Sequence, residues 1–268
     1  MIDDIREYLK EIPENQKLNF LREYLQLVIL KIISDSGYKN SITFTGGTAL
    51  RIVFRTNRFS EDMDFSLTSK KDYNFKNLLT FLEKGLNKYG FSYELARVKE
   101  EIVNSLFIRF PDFLKALHLT QQDKKLSVKL EIDTNPPAGG KTQEYIYYDR
   151  FYFVMNHFTL ESLFALKLHA ILFRKYTKGR DFYDLMFFLN KKVIPQFDLF
   201  KRAARQTHPD RKFSDLKDVF VHVKKTIKDS DEKKIVQDLQ PFLLKPDEMT
   251  LVSKKNLLLF LDQYLRAL

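Results

Sequence analysis

Ile42-Thr43-Phe44-Thr45 runs into Gly46-Gly47-Thr48-Ala49-Leu50-Arg51, and Arg58-Phe59-Ser60-Glu61-Asp62-Met63-Asp64-Phe65 follows a few residues later. The first run reads as a short strand entering a glycine turn. The second reads as a strand carrying two carboxylates one residue apart. Side chains alternate along a strand, so Asp62 and Asp64 share a face. Carboxylates placed this way repel each other unless a cation lies between them. Mg²⁺ prefers carboxylate oxygens together with substrate phosphates, so the pair points to a phosphate-handling metal site. Glycines let backbone N–H groups approach a phosphate closely, and Thr48 adds a hydroxyl beside them. Alone, a glycine pair is usually a turn and an Asp-x-Asp a solvated face. Their order, and the flanking Phe44 and Phe65, make the combination specific.

Working outward, residues 3–12 and 18–34 read as helices. In the second, Leu18, Leu21, Leu25, Val28, Ile29 and Ile32 recur at helical spacing, and Ser36-Gly37 ends it. A short helix is expected over 48–55, with its N–H groups towards whatever the turn holds. Residues 74–89 read as a helix closed by Gly90, and 93–98 and 105–110 as strands. In 127–133 the alternation is clean: Val128, Leu130 and Ile132 face one way, and Lys129, Glu131 and Asp133 the other. Asn135-Pro136-Pro137-Ala138-Gly139-Gly140 breaks the chain into a loop, and 142–153 is aromatic and extended. Thr159 is an expected N-cap, and helical patterning continues from there to the end, with helices over 160–174 and 181–190. The fold class is therefore α+β: a mixed sheet flanked by helices over 1–158, then a helical region over 159–268.

The chain has 268 residues, enough for one large domain or two smaller ones with a real core. At 44% hydrophobic and 30% charged it is a folded rather than a disordered chain. The absence of cysteine excludes disulfides, thiolate metal sites and a cysteine nucleophile. The first residues are charged and lack a signal-peptide core, and no apolar run is long enough for a bilayer. A cytoplasmic protein without a membrane partner is the expectation. The net charge of +10 is concentrated: residues 167–228 hold 16 Lys/Arg and 6 Asp/Glu, an excess equal to that of the whole chain. Such a region attracts polyanions, with a lysine-rich solvated surface as the plain alternative.

Phosphoryl chemistry on this pattern wants a third carboxylate, to complete a metal cage or to deprotonate an attacking hydroxyl. Glu131 is the first choice, lying mid-strand on the polar face, and Asp133 the second. Lys167 interrupts the apolar run Leu163-Phe164-Ala165-Leu166-Lys167-Leu168-His169-Ala170, so it either snorkels to the surface or meets an anion. Arg180-Asp181-Phe182-Tyr183-Asp184-Leu185 places two acids three apart on one side of a helix. One of them is expected to clamp Lys167 or a ligand group.

Together these residues resemble the AbiEii/AbiGii nucleotidyltransferase toxin family, within the DNA polymerase β-like superfamily. The resemblance rests on Gly46 to Arg51, Arg58 to Phe65, the Lys167 helix and Arg180 to Leu185, and spans about residues 40–190. It implies a nucleotidyltransferase-type sheet and a helical C-terminal region. It implies NTP and Mg²⁺ at Asp62 and Asp64, with Glu131 proposed as a further metal ligand. Gly46, Gly47 and Thr48 would hold the triphosphate, with Arg51 and Ser60 also on the nucleotide side. By the same carry-over Lys167 contacts phosphate, and Asp181 or Asp184 is the further essential acid. Relatives look like transferases that modify tRNA ends and stop growth, held in check by an antitoxin. The expectation is thus NMP transfer to an RNA hydroxyl, tRNA above others, in a toxin–antitoxin or phage-defence setting. A small-molecule nucleotidyltransferase, a phosphohydrolase and a non-catalytic nucleotide- or RNA-binding module are the rival readings.

Overall fold

The computed structural model describes residues 2–71, 73–119 and 126–268. The elements of the first part are α1 (Ile2–Leu9), α2 (Lys17–Asp35), β1 (Ile42–Thr45), α3 (Gly46–Ile52), β2 (Asp62–Leu67), α4 (Phe75–Lys88), β3 (Glu94–Lys99), β4 (Val103–Phe110), α5 (Phe113–Ala116), β5 (Leu126–Asp133), β6 (Thr142–Tyr148) and β7 (Tyr152–Phe158). The strands form one mixed sheet in the order β3-β4-β5-β2-β1-β7-β6, so the acid-bearing β2 is the central strand. It runs antiparallel to β1 and parallel to β5. This is an α+β fold with a mixed sheet flanked by helices, as the patterning indicates.

The chain divides into two units. The sheet unit comprises Met1–Arg55, Phe59–Pro136 and Gln143–His157. Its core lies where apolar strand faces meet α2 and α4. Leu106, Ile108, Val128, Leu130 and Ile132 are buried on one side of β4 and β5, and Met63 and Phe65 on the same side of β2. α4 adds Phe75, Leu78, Leu82 and Leu86, all at helical spacing and at most 2% exposed. Burying each such leucine contributes about 1.5–3 kcal/mol. Asn74 caps α4 by accepting the Asn77 N–H.

The helical unit comprises Thr56–Arg58, Pro137–Thr142 and Phe158–Leu268. It contains α6 (Leu160–Phe173), α7 (Gly179–Asn190), α8 (Phe197–Thr207), α9 (Leu216–Asp229), α10 (Glu232–Leu239) and α11 (Lys254–Ala267). Thr159 caps α6 by accepting the Ser162 N–H, and Asp215, Asp231 and Ser253 cap α9, α10 and α11. Phe164 of α6 stacks on Phe188 of α7 at 4.5 Å, with Phe220 and Tyr264 against it. α7 begins at a glycine for a steric reason: a Cβ on Gly179 would lie 2.0 Å from the Ile235 carbonyl of α10. No helix among the described residues is long and apolar enough to cross a membrane.

Three details differ from the sequence patterning. The extended segment over 142–153 is two strands, β6 and β7, because Asp149 and Arg150 make a turn inside the aromatic run. α3 starts at Gly46, two residues earlier than the hydroxyl at Thr48 suggests, and ends at Ile52. The short α5 follows Asp112, whose left-handed φ of 60° ends β4 abruptly.

Candidate active site

β2 alternates Asp62, Met63, Asp64, Phe65, with the apolar pair buried and the acids half-buried on the opposite face. The parallel register sets Asp62 beside Lys129 and Asp64 beside Glu131. On the other flank Asp64 pairs with Thr45, the last residue before the glycine turn. Gly46 has φ +73°, and a Cβ on it would lie 2.1 Å from an Asp64 carboxylate oxygen. Only glycine satisfies both conditions, so the turn rests directly on the acid strand.

Several contacts fix that strand. Gln26 of α2, fully buried, donates to the carbonyls of Ser60 at 2.9 Å and Glu61 at 3.0 Å. The Thr48 hydroxyl donates to the Asp62 carbonyl. These contacts bear on three residues expected on the nucleotide side. Thr48 is fully buried and its hydroxyl is committed to backbone, so the side chain does not face a phosphate. Arg51 is turned to α2: its Nε donates to Glu23 at 2.5 Å, and its guanidinium lies over the Phe59 ring at 4.7 Å. Ser60 contributes its carbonyl to the Gln26 clamp. Gly46 and Gly47 remain at the turn itself.

Glu131 stands beside Asp64 in register, but its Oε1 is 2.7 Å from the Lys129 ammonium. Among the described residues no trio of acidic or histidine side chains stands close enough to hold a metal ion. The three-carboxylate cage is therefore not gathered, because Lys129 supplies the opposing charge that Glu131 would otherwise seek. Asp62 and Asp64 as a pair do suit Mg²⁺, which binds one or two carboxylates and completes its shell with substrate phosphates and water. Burial would lower the Lys129 pKa, but the hydrogen bond and charge of Glu131, with Asp62 and Asp64 behind it, hold it above the usual lysine range. Lys129 is a site residue that the sequence reading left out, although the alternation that selected Glu131 put Lys129 on the same face. Asp133 accepts the Asn135 N–H at 2.9 Å, and burial raises its pKa against that bond.

The remaining three site residues lie in the helical unit, where they form a buried ionic cluster. Asp184 accepts from Arg58 Nε at 2.5 Å and Nη2 at 2.6 Å, and from Lys167 Nζ at 2.8 Å. Asp181 accepts from Lys167 at 2.7 Å and pairs with Arg174 at 2.9 Å. Burial works against each charge, but the partners win: Arg58 and Lys167 are raised and Asp181 is lowered. The two acids differ in access. Asp184 is 0% exposed, with both oxygens engaged. Asp181 lines a cavity of about 240 Å³ with Arg174, Lys175 and Lys178. Burial, with the nearby Arg180 and Arg174 adding to it and Asp181 opposing it, depresses Lys178.

Against known proteins, the family model described as nucleotidyl transferase AbiEii toxin, type IV toxin–antitoxin system, matches residues 28–254. Among solved structures, JHP933 from Helicobacter pylori superposes with a TM-score of 0.54 at 20% identity, over 93% of this chain and 92% of that one. A presumed nucleotidyltransferase from H. pylori gives 0.52 at 20% identity, over 93% and 97%. At this identity the likeness speaks for the fold. Comparison with curated proteins gives no match.

Proposed function

The chain belongs to the AbiEii family of nucleotidyl transferase toxins, and from that premise we propose that it transfers NMP from an NTP to a hydroxyl of an RNA acceptor, tRNA above other RNAs. The acceptor oxygen attacks the α-phosphorus in line, the bond to the β-phosphate oxygen breaks, and pyrophosphate leaves. One observation carries the reading: Asp62 and Asp64 share a face of the central strand, with the Gly46 turn packed on the Asp64 carboxylate. Asp62 and Asp64 would hold a divalent cation, Mg²⁺ in this proposal, whose charge would offset that developing on the transferring phosphoryl group. Gly46 and Gly47 let the backbone approach the triphosphate. Glu131 accepts the proton of the attacking hydroxyl, and Lys129 offsets the surplus negative charge of this face. In the helical unit Lys167 contacts phosphate, and Asp181 orients it. Asp184 acts structurally, since it is enclosed by Arg58 and Lys167. The biological setting is growth arrest in a toxin–antitoxin or phage-defence system, relieved by a partner antitoxin.

The test is incubation of the purified protein with Mg²⁺, total RNA and each α-³²P-labelled NTP in turn, beside Asp64→Ala. A labelled band of tRNA size, absent with the variant, is expected. Equal labelling by Asp64→Ala would refute the site assignment.

A further inference from the structure

Besides the cavity that Asp181 lines, the helical unit holds a larger one of about 750 Å³ between α8 and the turn over 208–213. Five cations line it: Lys201, Arg202, Arg205, Arg211 and Lys212. Of the residues that line it Asp198 is acidic and pairs with Lys201 at 3.0 Å, and Asp210 stands exposed in the same turn, outside the lining. Arg202 donates to the Ala138 carbonyl at 3.1 Å. Arg205, Arg211 and Lys212 are exposed, and none has an acidic partner among the described residues. Like charges gathered without counter-charges raise the free energy of the fold, and a bound anion relieves it.

The cavity is preformed. α8 turns Leu199, Phe200, Ala203 and Ala204 inward, and so presents Lys201, Arg202 and Arg205 outward. The following turn is pinned at both ends. His208 stacks on Phe173 at 4.3 Å, and Phe213 packs edge-on against Phe200 at 5.0 Å and His222 at 5.3 Å. The Arg211 N–H donates to the His208 carbonyl at 3.0 Å. The backbone that carries Arg211 and Lys212 is thereby fixed beside α8.

We propose that this cavity is a phosphodiester-docking site that holds the backbone of the RNA acceptor at a distance in sequence and chemistry from the transfer site. Its chemistry favours phosphate: guanidinium forks match phosphate oxygens bidentately. Its size admits a nucleotide unit rather than a single ion. Contacts from these cations to phosphate position the chain without reading its sequence. The inference rests on the RNA-acceptor reading above, and it names the surface that would position such an acceptor.

The experiment is fluorescence anisotropy of a labelled tRNA pool, without NTP or Mg²⁺, from 50 to 300 mM KCl. It compares the wild-type protein with Arg205→Ala/Arg211→Ala/Lys212→Ala, three exposed positions whose loss leaves the core intact. The expected result is Kd about tenfold or more weaker at 100 mM salt, with the slope of log K against log salt shallower by about two to three. An unchanged Kd and slope would overturn the docking site while leaving the transferase reading standing. A second arm adds ATP or tripolyphosphate as competitor. If either displaces tRNA from the wild type at micromolar concentration, and the triple variant loses that binding, the cavity serves free polyphosphate and the RNA assignment falls. If the wild type fails to bind tRNA but labels a small acceptor with NTP, the RNA reading and this site fall together.

Discussion

Asp184 of α7 receives both Nε and Nη2 of Arg58, 126 positions earlier in the chain, and neither side chain is more than 2% exposed. The pair lies within the helical unit, to which the three residues Thr56–Arg58 contribute their one guanidinium. Removing one partner of a buried ion pair leaves the other charge desolvated, which costs about 3–5 kcal/mol. Arg58→Ala is therefore expected to lower the urea midpoint substantially, and Arg58→Lys, which loses the bidentate geometry, to recover only part of it. Equal stability of wild type and Arg58→Ala would mean that Lys167 alone compensates Asp184.

The different access of Asp181 and Asp184 separates two effects. Asp181→Asn should reduce kcat about a hundredfold or more while shifting Tm little relative to Asp184→Asn. Asp184→Asn should act mainly on Tm. Activity assays scaled to the folded fraction distinguish them, and the reverse pattern would exchange the two roles.

Lys129 sits among three carboxylates, so its removal makes that face more negative. Lys129→Met is expected to tighten Mn²⁺ binding about tenfold, read by electron paramagnetic resonance of the free ion. Unchanged binding would place Lys129 outside the field of the Asp62 and Asp64 pair.

Gly46 and Gly37 offer a matched comparison. Both have positive φ, +73° and +82°, but a Cβ meets nothing within 4 Å at Gly37 and collides with Asp64 at Gly46. Gly37→Ala should cost about 1–2 kcal/mol from the backbone alone. Gly46→Ala should cost more and abolish transfer, since the added methyl must displace Asp64. Retained activity in folded Gly46→Ala would break the link between the turn and the acid.

Burial, with the charge of His208 adding to it, lowers His169 to about 4 from its ordinary 6.5. The unfolded chain takes up this proton near 6.5, whereas the folded chain resists until about 4. Between those values the unfolded state binds more protons, so stability falls as pH drops from 6.5 towards 4 and levels off below. His169→Gln should flatten that fall while keeping a polar group towards Thr207, which lies 2.8 Å from His169 Nε2. Superimposable Tm-against-pH curves would assign the slope to other groups.

What could be read from the sequence follows the range of each interaction. The Asp62 and Asp64 face is a local property of a period-two strand and was readable at once. The apolar spacing of α2, α4 and α6 is local as well. Side-chain commitments across the chain were not readable: the Arg51 pairing with Glu23, the Thr48 hydroxyl on the Asp62 carbonyl, and Arg58 on Asp184 depend on packing that composition does not encode. Glu131 beside Asp64 required knowing that β5 lies parallel to β2. Beyond residue 200 the amphipathic helices show their apolar faces plainly, but the cations of α8 and the 208–213 turn are far from unusual in a basic stretch. Only the folded turn brings them around one cavity.

The chain passes between its two units five times. A polypeptide cut at residue 158 would leave the helical half with Asp184 but without Arg58, an enclosed anion missing its counterpart. It would also lack the Pro137–Thr142 segment, whose Lys141 N–H donates to the Ser162 hydroxyl at 2.9 Å. Neither half is thus a cassette that recombination could splice onto another protein end to end.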